Sequence, residues 1–79
     1  MSWEKIQEDG LDDSIVTYWL NARLNPDHQV FISANVFNVT GVCRKHDIQE
    51  LTREFHTVGY AKREMERIAR ELGYYKETP

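Results

Sequence analysis

The stretch from Ser14 to Val39 reads SIVTYWLNARLNPDHQVFISANVFNV, and it narrows the possible folds more than any other part of the chain. Two runs rich in β-branched and aromatic residues flank Asn25-Pro26-Asp27-His28. Such runs favour strands, and Pro26 presets φ for the second position of a turn with Asn25 and Asp27 well suited beside it. A type I turn closed by a left-handed His28 gives a three-residue hairpin loop with a bulge. That loop sets Leu24 opposite Val30, Ala22 opposite Ile32, Leu20 opposite Ala34 and Tyr18 opposite Val36. Residues two apart share a sheet face, so one face is uniformly apolar. The other carries Ile15, Trp19, Phe31, Phe37 and Val39 among Thr17, Asn21, Arg23, Ser33 and Asn35. Leu11, Ile15, Tyr18, Trp19 and Ala22 also fit helical spacing. The register, which makes one face apolar along both runs, favours the strands.

The first thirteen residues, MSWEKIQEDGLDD, are acidic, with Trp3 and Ile6 as their large apolar side chains before Leu11. Glu8-Asp9-Gly10 has the form of a tight turn. If Ser2 to Gln7 is a strand, that turn pairs Trp3 with Ile15 and adds the indole to the aromatic face. A single helical turn capped by Ser2 is the competing reading.

Beyond Thr40-Gly41, the segment Val42 to His46 leads to Asp47. Asp47 with Glu50 resembles a capping box, and Ile48, Leu51 and Phe55 mark the stripe of a helix over 47–56. His56 to Gly59 interrupts it. A second helix is expected from Tyr60 to Leu72, with stripe Ala61, Met65, Ile68, Ala69 and Leu72 and with Gly73 as its stop. The expected fold is therefore α+β in one domain of 79 residues. An acidic segment (1–13) precedes a β-hairpin (14–39), which becomes a three-stranded antiparallel sheet if Ser2 to Gln7 joins it, and a helix-loop-helix (47–73) packs on the sheet's Val16/Tyr18/Leu20/Val30/Ile32 face.

Few chemical groups suggest a reaction. The single cysteine excludes an internal disulfide. Cys43, His46 and His56 are potential metal ligands, but paired ligand spacing is missing and His28 lies in a distant turn. Cys43 beside Arg44 and Lys45, near an expected helix start, has the surroundings of a reactive thiol, yet no glycine-rich oxyanion loop accompanies it. The chain is expected to be a non-enzyme without cofactor or metal. With no long apolar run and no leader-like start, it is expected to be cytoplasmic, away from membranes.

Two binding readings remain. Trp19, Phe31 and Phe37 supply aromatic anchors for a protein partner or a second copy, the residue types that dominate interface energetics. Glu8, Asp9, Asp12 and Asp13 are placed to meet a basic partner. The alternative is nucleic-acid binding through a stripe of Arg63, Arg67 and Arg70. Charge disfavours it: net charge is -3, and i,i+4 glutamates answer much of the stripe. The protein-binding reading, a small inhibitor or regulator acting by steric occlusion, is the leading one.

In plan the chain resembles small phage-encoded anti-CRISPR proteins that target type I surveillance complexes. The features carrying the resemblance are the length, an antiparallel sheet in the first half, and DIQELTREF, HTVG and YAKREMERIAREL as two helices split by a glycine-bearing loop. The resemblance implies a non-enzymatic inhibitor that docks on a multi-subunit, nucleic-acid-processing complex and blocks DNA engagement. It carries over no functional residue.

Overall fold

In the computed structural model, which describes residues 2–7 and 15–76, the chain forms five strands and one helix. They are β1 (Ser2–Gln7), β2 (Val16–Asn21), β3 (His28–Ala34), β4 (Val39–Lys45), β5 (Ile48–Phe55) and α1 (Val58–Glu71). The strands pair in chain order as an antiparallel meander. The expectation of a two- or three-stranded sheet under two helices is thus overturned: within the segment 47–56, Ile48–Phe55 is a strand.

The turn before β5 explains that reversal. His46 and Asp47 both have positive φ, 52° and 63°, and link β4 to β5 as a two-residue loop. Two consecutive left-handed residues define a type I′ hairpin turn, whose twist matches that of the strands it joins. Asp47 is therefore a turn residue rather than a helix cap. Pairing with β5 satisfies the second hydrogen-bonding edge of β4, which a helix over 47–56 would leave open. The i, i+3, i+7 spacing of Ile48, Leu51 and Phe55 yields to this long-range ladder. Along β5, Leu51 lies opposite Cys43 and Phe55 opposite Val39, with an irregularity at Cys43/Arg44. Ile48 is left exposed. Charged Glu50, Arg53 and Glu54 stand on this outermost strand, a device that discourages further strand pairing.

The first hairpin forms in a different register. Tyr18 faces Ile32 and Trp19 faces Phe31, four residues away from the expected pairing. The turn at Asn25–His28 is present, with the His28 amide donating to the Asn25 carbonyl at 3.2 Å. Asp27, not His28, takes the left-handed conformation, with φ 64°. A positive φ at the residue after a turn proline is the type II signature. The first run also leaves the sheet early. Leu24 bridges Tyr75, the Asn25 amide donates to the Tyr74 carbonyl at 2.8 Å, and the Lys76 amide donates to the Arg23 carbonyl at 2.8 Å. The chain's end thus takes the backbone groups that the longer hairpin would have used. An even shift leaves the side chains of β2 and β3 themselves on their expected faces, so the division into two faces survives within this pair.

Ser2 to Gln7 is a strand, but its register differs from expectation by an odd number of residues. Trp3 lies opposite Leu20 instead of Ile15, which moves the indole to the other face. There it reaches α1, with Nε1 donating to Glu66 Oε1 at 3.0 Å. The turn expected at Glu8–Gly10 lies outside the described residues.

The core forms where α1 crosses the sheet. Leu20, Val30, Ile32 and Cys43 meet Ala61, Met65, Ile68, Ala69 and Tyr74, with Tyr18, Val39, Leu51 and Phe55 packed around them. Helix and sheet approach closely at Gly41: a Cβ there would stand 2.5 Å from the Met65 sulfur and 3.0 Å from the Phe55 ring. Thr57 caps α1 by accepting the Tyr60 amide at 3.1 Å. At the other end Gly73, with φ 77°, donates to the Arg70 carbonyl and Tyr74 donates to Ala69. These two bonds make a Schellman stop. It directs Tyr74 back into the core and leaves Leu72 46% exposed.

Candidate interaction surfaces

Strand alternation divides the sheet into a face under α1 and an outer face. Directly opposed residues place Glu4, Trp19, Phe31, Val42 and Thr52 in one row across the outer face. A second row runs Ile6, Thr17, Ser33, Thr40 and Glu54. The Trp19 and Phe31 rings touch at 4.8 Å between centroids, tilted by 41°. The Arg44 guanidinium lies over Phe31 at 5.6 Å, while its Nε donates to Gln29 at 2.9 Å. Thr17 and Val42 are buried, Trp19 and Phe31 half-buried, and Ile6 is 41% exposed. No described helix or strand covers this face. Around its apolar centre stand the hydroxyls of Ser33, Thr40 and Thr52 and the Gln29 amide, with the charges of Glu4, Arg44 and Glu54 at its margins.

Phe37, expected on that face, stands elsewhere. Asn35 to Asn38 form the β3–β4 turn, in which Asn35 Oδ1 accepts the amides of Phe37 at 2.8 Å and Asn38 at 2.7 Å. The Asn35 amide donates to the Asn38 carbonyl at 2.9 Å. Asparagine is favoured in such turns because its side chain mimics a backbone acceptor. The turn tip thereby holds Val36 at 76% and Phe37 at 87% exposure. Beside it lies a cleft of about 420 Å³ lined by Phe37, Asn38, Val39, Glu54, Phe55 and His56. The Phe55 ring at its base meets Tyr60 edge-on at 5.9 Å. Val39 also changes sides, packing on the core instead of the aromatic face.

Glu8, Asp9, Asp12 and Asp13 lie outside the described residues. On α1, Arg63, Arg67 and Arg70 are all exposed. Arg67 bonds Glu71 at 2.7 Å and Glu64 at 3.0 Å, and this hydrogen bond holds the Glu64 carboxyl below its ordinary value. Arg70 covers the Tyr75 ring at 5.4 Å and Lys62 covers Tyr18 at 4.6 Å. Two of the three arginines are thus already engaged, Arg67 by carboxylates and Arg70 by a ring, and engaged cations compete less well for phosphates.

The groups considered for chemistry do not converge. Cys43 is fully buried at the centre of the core, where desolvation, aided by Glu50, pushes its thiol up to about 11. That is the opposite of a reactive thiolate. His46 sits in the β4–β5 turn, 3.4 Å from Asp27, and His56 lies at the far end of β5. Among the described residues no group of three His, Cys, Asp or Glu side chains is placed to hold a metal ion. Among them, too, no helix is long and apolar enough to cross a membrane.

Comparison with protein-family models, with curated proteins and with solved structures gives no match. The two-helix half of the anti-CRISPR plan is replaced here by β5 and α1.

Proposed function

We propose that this chain is a non-enzymatic protein-binding module whose outer sheet face receives a partner and thereby occludes the partner's own surface. The observation that supports the reading most is the half-buried Trp19–Phe31 pair, which stands beside buried Val42 on the face opposite α1. One-sided antiparallel sheets ordinarily meet water with polar side chains. Aromatic anchors ringed by polar groups are instead the anatomy of an interface. Arg44, laid over Phe31 and fixed by Gln29, supplies a pre-placed cation at the pair's margin. A nucleic-acid-processing complex is the partner class implied by the anti-CRISPR resemblance, and it rests on that resemblance alone.

The test is capture from a host lysate with the wild-type chain and with a Trp19→Ala/Phe31→Thr variant, read by mass spectrometry. Circular dichroism establishes that the variant is folded. At least one protein is expected on the wild type and depleted at least tenfold on the variant. Identical captured sets from two folded proteins would refute the reading.

A further inference from the structure

The two edges of the sheet are held unequally. At one edge, β5 places Leu51 and Phe55 against the core, its Glu50 accepts the Tyr74 hydroxyl, and the chain runs on from it into α1. At the other edge stands β1. We infer that β1 is a releasable strand, latched by Trp3, which leaves the sheet as a unit while β2–β5 and α1 stay folded.

The composition of β1 gives it little to hold by. Side chains alternate along a strand, so Trp3 and Lys5 stand on the side of α1 and Glu4 and Ile6 on the outer face. Glu4, Lys5 and Ile6 are all exposed. Of the side chains from Trp3 to Ile6, Trp3 alone packs against the core. Its indole N–H donates to Glu66 Oε1 at 3.0 Å, which ties the first strand to the last helix. Among the described residues no ion pair reaches β1. Apart from Trp3, its backbone ladder to β2 retains it. Water replaces such bonds when an edge strand leaves, so each contributes modestly, whereas release restores conformational freedom to every residue of the strand. Segments with few buried apolar contacts open locally at free energies below that of global unfolding.

β2 does not depend on β1 in return. Leu20 belongs to the core and Thr17 is buried, Val16 to Trp19 pair with β3, and Lys62 of α1 lies over the Tyr18 ring at 4.6 Å. Release therefore makes β2 the new edge and frees its backbone groups on that side. It also removes Glu4 and Ile6 from their places opposite Trp19 and Thr17. That second consequence alters partner binding insofar as the outer face is the binding surface; the release itself does not rest on that reading.

Antiparallel pairing supplies an internal control, because alternate amides of β2 bond to β1 and to β3. The experiment is residue-resolved amide hydrogen exchange of the full chain by nuclear magnetic resonance, repeated at rising urea concentrations below the unfolding transition. The amides that bond β1 to β2, on either strand, are expected to share one opening. They should exchange at least about tenfold faster than those joining β2 to β3 and β3 to β4, with a shallower urea dependence because a partial opening exposes less surface. Trp3→Phe keeps an apolar ring and removes the N–H. It is expected to speed the β1–β2 set by a further factor of about ten, the effect of losing a hydrogen bond to a charged group, and to leave the other set within about twofold. One rate and one urea slope for both sets in the wild type overturn the inference, because β1 then opens only with the whole fold. A β1–β2 set that exchanges as fast as an unstructured peptide also overturns it, since no latched state then exists. So does a Trp3→Phe chain in which both sets accelerate equally or the β1–β2 set does not change.

Discussion

Gly41→Ala isolates the contact that joins helix to sheet. Gly41 lies on β4 beneath α1, and its backbone φ is not in the left-handed region, so alanine fits the backbone without strain. The added methyl nevertheless meets atoms at 2.5 Å and 2.8 Å in Met65 and at 3.0 Å in Phe55. Met65 has no solvent-facing route of escape, since it is fully buried between Ala61, Ile68 and the sheet. Overpacking of this kind costs about 1–3 kcal/mol. The stiffer unfolded chain returns about 0.4–1 kcal/mol, which leaves a net loss centred on about 1.3 kcal/mol. For a domain of this size, that lowers the thermal midpoint by about 5–10 °C. Thermal melts and urea titrations followed by far-ultraviolet circular dichroism measure it. The same substitution in a Met65→Ala background should cost less or become favourable, because the cavity admits the methyl. A midpoint unchanged or raised by Gly41→Ala in the wild-type background would refute this account of the helix–sheet contact.

Two other predictions use different chemistry. Asp47→Gly should raise stability by about 0.5–1 kcal/mol, because glycine takes the left-handed position without a Cβ penalty. As a helix N-cap the same change would cost a few tenths of a kcal/mol, so the sign in a urea titration separates hairpin from helix. Raising the pH should destabilise the fold from about pH 9 upward. Cys43 is pushed up to about 11 from 9.0, by burial first and Glu50 second, and Tyr74 is raised by burial and by its hydrogen bond to Glu50. In the unfolded chain both groups ionise at their ordinary values, so it sheds protons that the folded chain retains. Their contribution is complete below about pH 8 and disappears as pH climbs through the folded values. Urea midpoints between about pH 7 and 11 test this, and in Cys43→Ala the onset should move up toward the ordinary tyrosine value of about 10.

The candidate surfaces were only partly legible in sequence. Trp19 and Phe31 share a face for any register of the same parity, which is why a four-residue error in pairing left them together. Extending the strand through Asn35 places Phe37 on that face. The Asn35 side chain instead closes a turn there, and the Asn-x-x-Asn spacing was the available signal. Trp3 shows the opposite sensitivity, because an odd displacement of β1 carried the indole from the outer face to Glu66. His46-Asp47 lacks the glycine that normally advertises a type I′ turn, and with that cue absent the helical spacing of Ile48, Leu51 and Phe55 prevailed.

By itself, then, the sequence determined the local features. It specified a turn at Asn25–His28, two strands with opposed apolar and mixed faces, and a C-terminal amphipathic helix whose Gly73 ends it. Each follows from interactions within a few residues, such as side-chain alternation, turn chemistry and capping. Tertiary structure alone decided that 48–55 would be a strand, which strands would neighbour one another, and which face α1 would cover. Those outcomes depend on backbone partners distant in the chain, β4 for β5 and Tyr74–Lys76 for Arg23–Asn25. A hydrogen-bond ladder completed across such distances outweighs the fractions of a kcal/mol that separate local helix and strand propensities.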